Sequence, residues 1–159
     1  MPPDPPTALP DDAAPVFLVR RLVAIVYDAL IIAGLVLFVL ALLIIPLGLA
    51  LGQERWELVQ QTWWMRLATQ LVTLSVIVGF HVGFWVKGGQ TLGMRAWHFK
   101  VLREDGGRLT LRQALTRYAA AWASGLALGL GFLSALWDPE GRTWHDRRTG
   151  THLLKSKAW

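Results

Sequence analysis

The stretch RRLVAIVYDALII, residues 20–32, sets two arginines at the mouth of an apolar run and one aspartate two helical turns inside it. Asp28 is the residue best placed for chemistry. A charged aspartate at membrane depth costs about 2.5–3.5 kcal/mol, so it needs a partner, a proton or access to water. Arg21, Ala24 and Asp28 fall at i, i+3 and i+7 and share one helix face. Arg21 and Asp28 are about 10 Å apart along the axis at 1.5 Å per residue, too far to pair. His81 lies inside a second apolar run, at a depth below Lys87 that matches the depth of Asp28 below Arg21. Asp28–His81 is therefore the first expected pair, with Arg95 or Arg147 reaching down as the competing cation. Arg21, nearer the interface, is the expected partner of Asp146. A titrating intramembrane carboxylate suits cation/proton coupling, whereas a permanently paired one suits a structural clamp.

Other chemistries find no constellation in this sequence. There is no serine–histidine–acid arrangement and no pair of carboxylates at helical spacing, so no catalytic residue and no enzyme activity are expected. His98, His145 and His152 lack metal-ligand spacing, and solvated or interfacial positions are expected for them. The absence of cysteine removes disulfides, thiolate metal sites and thiol chemistry together. Gly89-Gln90-Thr91-Leu92-Gly93 lacks the Gly-Lys-Ser/Thr ending of a phosphate loop and reads as a turn. No cofactor or metal is expected.

The elements that must position these residues follow from where charge is missing. Only 17% of the 159 residues are charged and 53% are apolar, against about a quarter charged in a soluble domain. No Asp, Glu, Lys or Arg occurs in Ala29–Gln53, Leu67–Val86 or Tyr118–Trp137. Each window reaches the roughly 20 residues that cross a hydrocarbon core of about 30 Å. The expected fold is all-α and polytopic, with membrane segments at about 22–51, 67–86 and 112–137. Residues 1–14 are Pro-rich and acidic and read as a disordered tail, leaving 15–159 as one membrane domain. No basic n-region precedes the first apolar run, so a retained anchor is expected rather than a signal peptide. The net charge of +5 is carried by residues flanking apolar windows, which argues against nucleic acid as a partner.

Lys87, Arg95, Lys100, Arg103, Arg108, Arg112 and Arg117 make the second loop strongly basic and place it, with the N-terminus, in the cytoplasm. Trp56, Trp63 and Trp64 are then expected at the outer interface. A straight third span would put Arg142, Arg147, Arg148, Lys155 and Lys157 on the opposite side. Gly125, Gly129 and Gly131 offer a broken or re-entrant segment instead, which keeps the C-terminus cytoplasmic. FKVLREDGGRLTL reads as a short cytoplasmic β-hairpin turning at Asp105-Gly106-Gly107, and Thr110 with Gln113 as a capping box. Leu92, Met94, Ala96 and Trp97, interleaved with Arg95 and Lys100, suit a segment on the inner membrane surface. Gly48/Gly52, Gly79/Gly83 and Gly125/Gly129 permit close helix approach.

Three ordered motifs complete the reading. R-x-x-A-x-x-x-D at Arg21, Ala24 and Asp28, G-Q-T-L-G-x-R at Gly89–Arg95 and H-D-R-x-x-G-T at His145–Thr151 together resemble the RDD family of bacterial membrane proteins. The resemblance maps the family's one arginine and two aspartates onto Arg21, Asp28 and Asp146. It implies a multi-span module of the bacterial inner membrane, and cation/proton transport has been proposed within the family. His81 stands where relatives often carry an aromatic residue such as tyrosine. Two function classes follow. One is transport or permeation through Asp28, which three windows support only as a homo-oligomer or with a membrane partner. The other is a non-transporting scaffold or accessory subunit, whose basic face meets a partner protein or the anionic inner leaflet of the lipid bilayer.

Overall fold

Long apolar runs with few helix breakers give long helices. In the computed structural model, which describes residue 16, residues 18–127 and residues 129–155, α1 spans Leu18–Leu51 and α3 spans Trp63–Gly88. Both are long and apolar enough to cross a membrane. The tail expected to lack structure, residues 1–14, lies outside the described residues.

The chain divides into two compact units, Ala29–Phe80 and the remainder. The first holds most of α1 and α3 with the short helix α2, Gln53–Gln60, between them. Its leucines point outward: Leu30, Leu37, Leu49 and Leu71 are all exposed. Apolar side chains that find no partner within the fold belong against lipid. Trp56 on α2 rests its indole against the backbone at Gly48, and Trp63 and Trp64 are exposed. Arg55 and Arg66 are offset by Glu54 and Glu57, so this unit carries little net charge.

The second unit collects the first turns of α1, the last turns of α3 and everything after them. The short helix α4, Leu92–Ala96, leads into strand β1, Phe99–Arg103. Next come α5, Leu111–Leu126, α6, Leu130–Leu133, a 3₁₀ turn at Ser134–Leu136, α7, Trp144–Thr149, and strand β2, Thr151–Lys155. Phe99, Val101, Leu102, Leu153 and Leu154 are buried and form the core of the β element.

The short antiparallel β element is present, and its first strand is the expected one. The partner differs. Phe99 pairs with Lys155 and Arg103 with Thr151, so β1 takes the C-terminal strand rather than Arg108–Leu111 across the Asp105-Gly106-Gly107 turn. The reason is side-chain chemistry. Leu153 and Leu154 bring a second apolar strand, whereas the stretch after the turn supplies Leu109 as its buried residue and then opens a helix. The capping box forms there as expected: the Thr110 hydroxyl accepts from Gln113 N at 3.3 Å, and Thr110 N donates to the Gln113 side chain at 3.1 Å.

The glycine-rich stretch does not continue α5. Gly129 adopts φ 76, a left-handed conformation that suits a residue without Cβ, and α5 meets the next helical pair at a bend of 107°. Gly131 lies so close to Ser124 that a Cβ there would overlap its side chain.

Candidate functional site

Asp146 is the centre of the second unit's polar core and is fully buried. It occupies the third position of α7, from which its carboxylate reaches back to the helix start and accepts from Thr143 N at 2.9 Å. The same oxygen, Oδ2, accepts from Arg21 Nη1 at 2.8 Å. The Arg21–Asp146 pairing expected from the sequence is therefore present. Arg21 spends its other donors on backbone carbonyls, Nε on Val16 at 3.1 Å and Nη2 on Gly141 at 2.6 Å. One guanidinium thus ties the start of α1 to the segment entering α7.

A second guanidinium shares the carboxylate. Arg117 Nη1 lies 2.6 Å from Asp146 Oδ1 and also donates to the Thr151 hydroxyl at the start of β2. Its guanidinium carbon stands 5.4 Å from the centre of the Trp85 ring, a cation–π contact. Arg117 was not singled out by the sequence as a site residue. Its signal is a helical face: Ala114, Arg117, Ala121 and Ser124 follow a 3-4-3 spacing, small residues with one arginine among them.

His145 is the other residue the sequence reading misplaced. It is buried rather than solvated, with Nδ1 3.4 Å from the Ser124 hydroxyl and its ring edge-on to Phe132 at 4.9 Å. Its Nε2 is 3.9 Å from Asp146 Oδ1. Burial is the main cause that pushes the His145 pKa down to about 4, with Arg117 and Arg21 adding to it against the pull of Asp146. The imidazole is neutral at pH 7. Burial opposes ionisation of Asp146, yet Arg117 and Arg21 outweigh it and hold the carboxyl well below the usual carboxylate range. Two guanidiniums against one carboxylate leave this core with one excess positive charge.

Asp28 sits two turns along α1 from Arg21 and is 5% exposed. The expected Asp28–His81 pair gives way to neutral donors. Thr91 Oγ1 donates to Asp28 Oδ2 at 2.5 Å and Gly93 N to Oδ1 at 2.7 Å. Thr91 caps α4 at the same time, accepting from Met94 N at 3.2 Å. A Cβ on Gly93 would overlap the Ala24 carbonyl and stand 2.9 Å from the Asp28 carboxyl carbon. The T-L-G of the second motif is thus the cradle of the aspartate in the first. A carboxylate that meets a free N–H and a hydroxyl is satisfied without a cation.

The remaining candidates lie elsewhere in the unit. His81 has its ring 5.7 Å from that of Trp85 and 5.4 Å from that of Tyr118. Arg95 is exposed on α4, and Arg147 pairs with Asp138 at 3.2 Å. The stretch expected to lie on a membrane surface forms α4 and buries Gly93 and Met94.

Comparison with known proteins closes the question of kinship. No curated protein and no solved structure matches the chain. The family model described as the RDD family matches residues 15–150, a span that holds Arg21, Asp28, the Thr91–Gly93 cradle, Arg117 and Asp146, and the chain belongs to that family.

Proposed function

We propose that this RDD-family chain works as a non-transporting scaffold or accessory module of the bacterial inner membrane. The observation that supports this reading is the state of its two signature carboxylates. Asp146 is clamped between Arg21, Arg117 and the start of α7. Asp28 is bonded through both oxygens to Thr91 and Gly93. Each joins segments that are distant in sequence, as a clamp does. The same unit exposes Arg20, Lys87, Arg95, Arg108, Arg112 and Arg148, a basic face suited to anionic lipid at about 1 kcal/mol per residue near the surface. In this reading α1 and α3 span the bilayer and α5–α6 form a re-entrant third segment. Both termini are then cytoplasmic, and no reaction is catalysed. A reporter fused after Trp159 that is active only in the periplasm would overturn that topology.

A second reading keeps transport, on a specific observation. Among the described residues, the Thr91 hydroxyl and the Gly93 N–H donate to Asp28 and both are neutral, and intramembrane carboxylates are candidate ion or proton sites. It requires an oligomer to enclose a path. Proton-coupled flux of monovalent cations in proteoliposomes, wild type against Asp28→Asn, separates the two. The scaffold reading expects no flux above empty vesicles from either protein. Wild-type flux that disappears in Asp28→Asn, with folding retained, overturns it.

A further inference from the structure

Arg117 belongs to the ion network through one edge and faces an aromatic cluster through the other. Trp85 and His81 lie one turn apart on α3, and Arg117 and Tyr118 are neighbours on α5. The Arg117 guanidinium carbon is 5.4 Å from the Trp85 ring centre, and the His81 ring meets Trp85 edge-on and Tyr118 at a tilt. Among the described residues, Trp85 Nε1, Arg117 Nε and the Tyr118 hydroxyl are buried without a hydrogen-bond partner. Three such orphans in one cluster are unusual, because buried polar groups are as a rule paired. The indole and guanidinium groups can only donate, and the phenol can donate. The neighbouring core also carries one positive charge more than it has carboxylates to match. Donors without acceptors and one positive charge in excess ask for the same complement.

We infer that the Trp85–Arg117–Tyr118 cluster binds a singly charged phosphate oxyanion, whose oxygens accept from these three donors. A phosphodiester carries one negative charge near neutral pH and offers several acceptor oxygens, so it closes both deficits at once. The headgroup of a phospholipid and free inorganic phosphate share this chemistry. Access runs along α5. His81 and Tyr118 are half-buried, and exposed Trp122 stands 6.3 Å from the Tyr118 ring. The site is independent of whether the chain transports anything, since neither Asp28 nor its cradle takes part.

The test uses the full chain in a non-ionic, phosphate-free detergent. Thermal unfolding is followed while inorganic phosphate, phosphatidylglycerol or phosphate-free diacylglycerol is titrated in at constant ionic strength. Wild type, Tyr118→Phe and Trp85→Phe are compared: the first variant keeps its ring and loses one donor, and the second loses the indole N–H together with part of the ring. The expected result is a concentration-dependent rise in Tm with a phosphate-bearing probe and none with diacylglycerol. Each variant should weaken the apparent affinity about tenfold. Without ligand the Tm of Tyr118→Phe is unchanged or raised, because an orphan donor has been removed, and that of Trp85→Phe falls with the packing its smaller ring gives up. A response to both phosphate probes identifies the oxyanion itself as the ligand, and a response to phosphatidylglycerol alone identifies the lipid. No response in wild type, or equal responses in wild type and both variants, overturns the site.

Discussion

Arg117 Nη1 lies 2.6 Å from Asp146 Oδ1 while Arg21 Nη1 lies 2.8 Å from Oδ2, so one buried carboxylate holds two guanidiniums from two different helices. Pairs of this kind add little net stability over a well-packed apolar core, but removing one partner strands the rest. Asp146→Asn strands both arginines at once. It is expected to cost about 3–5 kcal/mol, read as a fall in folding yield and Tm in detergent. Arg21→Lys keeps the charge but cannot bridge Asp146, Val16 and Gly141 together, and should cost less than Asp146→Asn. Equal stability of Asp146→Asn and wild type would show that the network is not formed.

The cradle of Asp28 makes a separate prediction. Gly93→Ala pushes a Cβ into the Ala24 carbonyl and the Asp28 carboxyl, so it should destabilise by about 1–3 kcal/mol, in the range of overpacking in a filled core. Thr91→Val removes both the hydroxyl given to Asp28 and the cap of α4 and should cost about as much. Thr91→Ser keeps both bonds and should stay close to wild type. A Thr91→Ser variant as damaged as Thr91→Val would show that the lost methyl, not the hydroxyl, is what matters.

Much of this was legible before any coordinates. The Arg21–Asp146 contact followed from one topological inference, that the basic C-terminal segment returns to the side where α1 begins. The two long helices followed from missing charge. What was hidden has physical reasons. Strand β1 could be read from its own residues, but its partner is set by which distant strand carries leucines to cover it, and periodicity holds no such information. Depth alone matches Asp28 to His81, because it weighs ionisable partners and overlooks backbone N–H groups. Those become available wherever a glycine such as Gly93 lets the chain come close. Arg117 reads as one more loop cation because its buried face is written in small residues rather than in apolar periodicity.

His145 gives the network a pH signature. Its ordinary pKa of 6.5 falls to about 4 in the fold, so between those values the unfolded chain binds the proton that the native chain refuses. Stability from this group is fully present above about pH 6.5, declines as pH drops, and levels off below about pH 4. The whole decline is about 3 kcal/mol at most, at 1.36 kcal/mol per pKa unit. Asp146 adds nothing to this window. Its pKa is depressed, so its contribution holds above the ordinary carboxylate range and is lost only in stronger acid. His145→Gln should start less stable at pH 7, having lost the edge contact with Phe132, but show a flatter profile from pH 7 to 4.5. Parallel profiles for the two proteins would mean that the histidine is not held neutral.

Asp28 and His81 offer the final test, because the sequence pairs them and the structure gives Asp28 to Thr91 and Gly93. Asp28→Asn keeps size and one acceptor oxygen but turns the other into an amide, which meets a Thr91 hydroxyl already engaged with Met94 N. The loss should be about 1.5–3 kcal/mol, the scale of a hydrogen bond to a charged group. His81→Gln disturbs the ring contacts with Trp85 and Tyr118 and acts on its own part of the unit. Groups without shared partners change stability additively within about 0.3–0.5 kcal/mol. Thermal stability of the two single variants and the double should therefore sum. Recovery in the double would restore the ion pair expected from depth alone, and the Thr91–Gly93 cradle would then not be what holds Asp28.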